Sequence, residues 1–240
     1  MRKGFMRIAL LAFLLLSAGG WTQNQLELNA PGGGDMDLSR NVMKYYASGT
    51  RPVEARWDDN QLEAGYLEYN RAQSIIKGRK GVKLTRLKPA PYILKCIEIR
   101  LDLAKEYYTA SRDVSFDYDK DTRLSGEQLE WDSPGERILV SGKPEIFYKD
   151  WKISGTTIEG LTQRGLFTIT GPVSAANPEI TVKAGKLTFD REAESYILED
   201  NPVLTKGQNE MTATKLVYNL KTKNVMAEGA VKSKLIKEKE

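Results

Sequence analysis

The stretch ATKLVYNLKTKNVMAEGAV, residues Ala213 to Val231, decides how the whole chain is read. Leu216 and Tyr218 alternate with Lys215 and Asn219, so side chains of one kind share one face of a strand. Leu220-Lys221-Thr222-Lys223-Asn224 is a polar reversal, and Val225 to Glu228 is a second short strand that runs into Gly229 and Val231. The unit reads as a β-hairpin with one apolar and one wet face.

The unit recurs. Stepping back 29 residues at a time from Tyr218 gives Phe189, then Gly160, then Trp131. The interval then loosens to 30, reaching Leu101, and to 32, reaching Tyr69. A valine lies thirteen residues after Tyr69 (Val82), Leu101 (Val114), Gly160 (Val173) and Tyr218 (Val231), and fourteen after Phe189 (Val203). A fixed period of this size marks a repeat architecture whose neighbouring units stack around a shared core. The expected fold is all-β, one domain over residues 21–240, with roughly a dozen short strands.

Residues 1–20 read as an export signal. Arg2, Lys3 and Arg7 form a basic start, Ile8 to Leu16 an apolar run, and Ala18-Gly19-Gly20 a small-residue cleavage site. The run is short against the roughly 20 residues of a membrane span; left uncleaved, it would tether the chain to the inner membrane. Removing those three cations from the 36 Lys and Arg leaves 33 against 32 Asp and Glu, a net charge of +1. With no basic stripe, nucleic acid is not an expected partner. Cys96, the lone cysteine, has no internal disulfide partner.

From Leu62 onward strands and turns alternate, most clearly at Ile97, Ile99, Leu101 and Leu103. Residues 44–60 read as an irregular insertion, and LAKEYY, after Asp102, as a continuation of the strand. Pro144, Pro172 and Pro202 fall just before or at the start of second strands, where a missing N–H costs least.

Histidine is absent, which removes Ser-His-Asp and Cys-His catalysis and the histidine-based zinc sites. Asp117, Asp119 and Asp121 alternate, but the calcium-loop glycine is missing and the twelfth position is Gln128. No enzyme, cofactor or metal is expected. What remains is the apolar face: Leu67, Tyr69, Ile99, Leu101, Leu129, Trp131, Ile158, Leu187, Phe189, Leu216 and Tyr218 recur at equivalent positions and should line one interior strip. That strip is either an ordinary packed core or the wall of an incompletely closed groove for acyl chains.

The segments AGYLEYN, AGKLTFD and ATKLVYNLKTKNVMAEGAV resemble the repeat of the OstA-like domain in the lipopolysaccharide-export bridge family (LptA/LptC type). Ala213, Leu216, Tyr218, Asn219, Gly229 and Val231 match that unit, with Ala230 where Asn is usual. Ala184, Leu187, Phe189, Asp190 and Val203 match in the copy before it, and Ala64, Leu67, Tyr69, Asn70 and Val82 in the first. The resemblance implies an open β-jellyroll, a solenoid-like stack of β-hairpin repeats, in the periplasm. It implies lipopolysaccharide or a related glycolipid as cargo. Other OstA-like envelope proteins, or a second copy, would pair through edge strands. The alternative is a non-enzymatic structural β-solenoid scaffold of the envelope with a filled core. Far-UV circular dichroism of residues 21–240 is expected to show β-sheet and little helix; a helix-dominated spectrum would end the repeat reading.

Overall fold

An Asp or Asn closes most of the repeats, and its side chain builds the turn that follows. The side-chain oxygens of Asn70, Asp102, Asp132, Asp190 and Asn219 accept the backbone N–H three residues on, at 2.8–3.1 Å. Such local bonds let the chain reverse without a partner from elsewhere. In the copy headed by Gly160 the position is Leu161, and Thr162 holds the turn by donating its hydroxyl to the Glu136 carbonyl. The first N–H of each turn then donates to the last carbonyl of the preceding one: Arg71 to Asn41, Leu103 to Ser74, Ser133 to Glu106, Thr162 to Glu136, Arg191 to Gly165 and Leu220 to Glu194. Those donors are spaced 32, 30, 29, 29 and 29 residues apart, the intervals of the aromatic ladder.

The computed structural model describes residues 26–88 and 90–236. Among them lie 22 strands and no helix, with every strand pairing antiparallel. The proposed signal at residues 1–20 lies outside the described residues. The strand count exceeds a dozen because most hairpin arms are broken once.

The break is what shapes the molecule. One continuous sheet is folded along a seam into two facing walls. Long strands such as Ile75–Arg86, Tyr92–Asp102 and Leu166–Ala176 contribute one half to each wall. At the seam their register slips, between Arg79 and Val82, Lys95 and Glu98, Gly126 and Gln128, and Thr170 and Val173. Such bulges bend a strand sharply. Left-handed backbone supports the bend, at Gly81 (φ 76°), Gly142 (φ 73°), Gly171 (φ 93°) and Gly229 (φ 86°). Val82, Val114 and Val173, each 3% exposed, are the first inward side chains after the seam. That explains their fixed distance from the preceding aromatic.

Inward residues of both walls form a single cluster of buried apolar side chains. Residues 44–60 are not an irregular insertion. They end the strand Val42–Tyr46 and carry Val53–Trp57, which pairs with Asn60–Ala64 across the Asp58-Asp59 turn. LAKEYY does not continue the strand either: Leu103 to Glu106 are a turn between Tyr92–Asp102 and Tyr107–Asp117. Pro144 and Pro202 do precede strands, whereas Pro172 sits within Leu166–Ala176 at the bulge, where no ladder donor is needed.

Gly171 and Gly33 test the seam. Both have positive φ, but a Cβ on Gly171 would collide with the Thr156 side chain, while one on Gly33 meets nothing within 4 Å. Gly33→Ala is expected to cost about 1 kcal/mol in urea unfolding, the left-handed backbone term alone. Gly171→Ala is expected to cost clearly more; equal losses would show that the seam tolerates a side chain.

Candidate functional site

The apolar strip expected from the repeats lies between the two walls. Leu67, Leu101, Ile158, Leu187, Phe189 and Leu216 are wholly buried, and Ile99, Leu129, Trp131 and Tyr218 are nearly so. Tyr69 is half-buried and packs against the same cluster. All eleven face one interior. Sequence reasoning missed the opposite wall, whose inward residues include Tyr92, Phe116, Tyr148 and Trp151. Two of them do keep a fixed spacing from the ladder, Tyr92 nine residues before Leu101 and Trp151 nine before Gly160, and that second interval could have revealed them.

Opposite the seam, where the turns of the two walls face each other, lies a mouth. Aromatic rings from the two walls meet there: Tyr92 and Phe116 on Trp131 at 4.7 and 5.5 Å between centroids, Tyr118 on Phe167 at 5.8 Å, and Tyr148 on Phe189 at 4.7 Å. Trp151 continues the row against Tyr196 and Tyr218, at 5.1 and 5.6 Å. Most of these pairs are tilted or edge-on, the arrangement that ring quadrupoles favour.

Above the rings, polar side chains bridge the two rims. Tyr118 donates its hydroxyl to the Thr162 carbonyl, and Arg191 pairs with Asp119 while lying 5.0 Å over the Tyr118 ring. Lys149 pairs with Glu194, which also accepts from the Tyr148 hydroxyl at 3.4 Å. Glu194 is held below the usual carboxylate range by the Lys149 ammonium. Among the described residues, backbone bonds between turns run along a rim, as from Lys149 to Asp121 or Arg191 to Gly165, and none crosses the mouth.

Gly160, the weakest copy of the repeat, has a role at this point. A Cβ there would stand 2.7 Å from Ile138 and 2.8 Å from the Phe167 ring. Where other repeats place an aromatic ring, this one leaves room for Phe167, and Tyr118 reaches over it from the facing wall. Two polar atoms remain buried without a partner in the same row, Trp131 Nε1 and Tyr196 Oη. A separate groove of about 790 Å³ lies at the seam of the last repeats, lined by Glu199, Lys215, Glu228 and Lys232 among others, and it includes none of the strip.

Burial raises the pKa of several interior groups. It pushes the Cys96 thiol up to about 12 and the Tyr108 phenol up to about 12, and it raises Tyr92 and Tyr196 further. In each case the neutral form is the folded one. These groups therefore favour folding fully below their unfolded values of 9.0 and 10.0, and that contribution is lost as pH rises toward 12. Thermal stability is expected to be flat from pH 7 to 8.5 and to fall steadily above pH 9; a flat profile to pH 11 would contradict the buried, neutral assignment.

No curated protein matches the chain. The structure of LptH, the LptA homologous periplasmic component of the conserved lipopolysaccharide transport device from Pseudomonas aeruginosa, is similar at 15% identity and a TM-score of 0.46, over 48% of this chain and 95% of that one. A family model described as LptA/(LptD N-terminal domain) LPS transport protein matches residues 135–224. These residues hold the copies headed by Gly160, Phe189 and Tyr218, so the part of this chain that is similar to the LptA/LptD N-terminal model is the second half of the repeat stack.

Proposed function

We propose that this chain is a periplasmic, non-enzymatic component of lipopolysaccharide transport, and that it carries acyl chains between its two walls. The observation that carries this reading is the way the walls are joined. Backbone crosses between them at the seam, while every bond across the mouth needs a side chain from at least one wall. The walls can part there without breaking a ladder bond. Acyl chains entering the interior would replace ring contacts with aliphatic ones, at about 0.8 kcal/mol for each methylene removed from water. The family model over residues 135–224 supports lipopolysaccharide, or a related glycolipid, as the cargo.

The partners in this reading are other OstA-like envelope proteins or a second copy, joined through edge strands. The terminal strand Lys232–Lys234 is exposed and pairs on one side with Asn209–Thr212. Apolar side chains stand open beside it, at Val231 and Leu235. The scaffold reading has its own support in the interior strip, of which all but Tyr69 is buried.

Photo-crosslinking separates the two. Phe189 and Leu216 point between the walls, and their neighbours Thr188 and Val217 point out. A photo-reactive residue in cells should capture glycolipid from positions 189 and 216 and not from 188 and 217. A scaffold should give no lipid adduct from any of them. Phe189→Asp adds a second readout: in a permanently packed interior an unpaired carboxylate costs several kcal/mol and should unfold the chain. In an interior that opens, capture should drop with a smaller loss of stability.

A further inference from the structure

The bridges across the mouth are concentrated in the middle of the stack. They join the turn at Tyr118 and Asp119 to Thr162 and Arg191, and the turn at Lys149 to Glu194. These partners lie 44, 72 and 45 residues apart in sequence. All come from turns, which are the parts of each wall least tied to their own strands. The ion pairs are partly open to solvent: Arg191 and Asp119 are each 30% exposed, and Lys149 and Glu194 are 47% and 30% exposed. Pairs of this kind are weak and screened by salt, so they can break and re-form. Gly160 is required for the arrangement, because any side chain there would meet Phe167, the ring on which Tyr118 rests.

We propose that this cluster is a gate, closed in this structure, that must part sideways before a glycolipid's acyl chains can enter the interior. The proposal rests on the carrier reading above and adds where entry is controlled and by which contacts. Beneath the gate, the unpartnered Trp131 Nε1–H and Tyr196 O–H stand in the ring row. An unpaired buried donor is costly. Opening would relieve that cost, since both groups can donate to the ester and amide carbonyls that join acyl chains to a sugar headgroup. Closed without cargo and open with it are thus two states with different bonding, as a two-state gate requires.

The test uses the whole chain and fluorophore-labelled lipopolysaccharide, with uptake followed by quenching of Trp131 and Trp151 after Trp21 and Trp57 are replaced by Phe in every form. One variant, Lys149→Gln with Arg191→Gln, cuts both ion pairs; Tyr118→Phe removes only the hydrogen bond. A third, Lys149→Cys with Glu194→Cys in a Cys96→Ala background, is tethered by a short reductant-cleavable bis-maleimide. Melting curves verify that each variant is folded. Uptake should be about three- to ten-fold faster in the first variant than in the parent, and 0.5 M NaCl should accelerate the parent but not that variant. Tyr118→Phe should lie between the two. The tether should abolish uptake, and reductant should restore it. Equal uptake by tethered and reduced protein would overturn the gate while leaving the carrier reading intact. Failure of every form, the parent included, to take up lipid would overturn both.

Discussion

Backbone hydrogen bonds in this chain run lengthwise, from each hairpin to the next, and they can pass from one wall to the other only where a strand bends. The left-handed residues and slipped registers at the seam satisfy that requirement. Everything else follows from it. Each repeat has one tethered edge at the seam and one edge at the mouth with no main-chain link to the facing wall. The apolar faces must therefore meet by side-chain packing alone, and the mouth closes to the extent that its side chains make it close.

Magnitudes indicate which side chains matter most there. Aromatic pairs contribute about 0.5–1.5 kcal/mol each beyond their buried area, and six ring pairs join the walls. Partly exposed ion pairs contribute about 0.2–1 kcal/mol each. The rings supply most of the adhesion, and the Arg191–Asp119 and Lys149–Glu194 pairs fix which turn meets which. On the carrier reading proposed above, acyl chains entering the interior would take the place of these ring contacts.

The repeats were legible because each hairpin is built locally. An inward aromatic followed by Asp or Asn states both the face and the turn, as at Phe189-Asp190 and Tyr218-Asn219. The turn at Leu103 to Glu106 escaped notice because it lacks the usual glycine, proline or asparagine. Its left-handed residue is Glu106 (φ 49°), kept in place by Asp102 and by the bond from Ser133. Residues 44–60 were misread because short strands separated by tight reversals leave little room for a period to show. The eleven strip residues could be placed on one face from spacing alone. What crosses the mouth could not, since no local pattern links Tyr118 to Thr162 or Asp119 to Arg191. Gly160 interrupts the aromatic ladder, and only its contact with Phe167 reveals why a small residue stands there.

The bond from each turn's first amide to the preceding turn's last carbonyl makes the stack a ruler. Every 29-residue repeat adds two strands to each wall, about 10 Å of length at the usual strand spacing. Because the bonding pattern is the same at each step, another unit could be spliced between Gly165 and Arg191 without altering either end. The distance such a protein spans is thus set by how many times the unit was copied. The length of the stack can change in whole steps of one repeat.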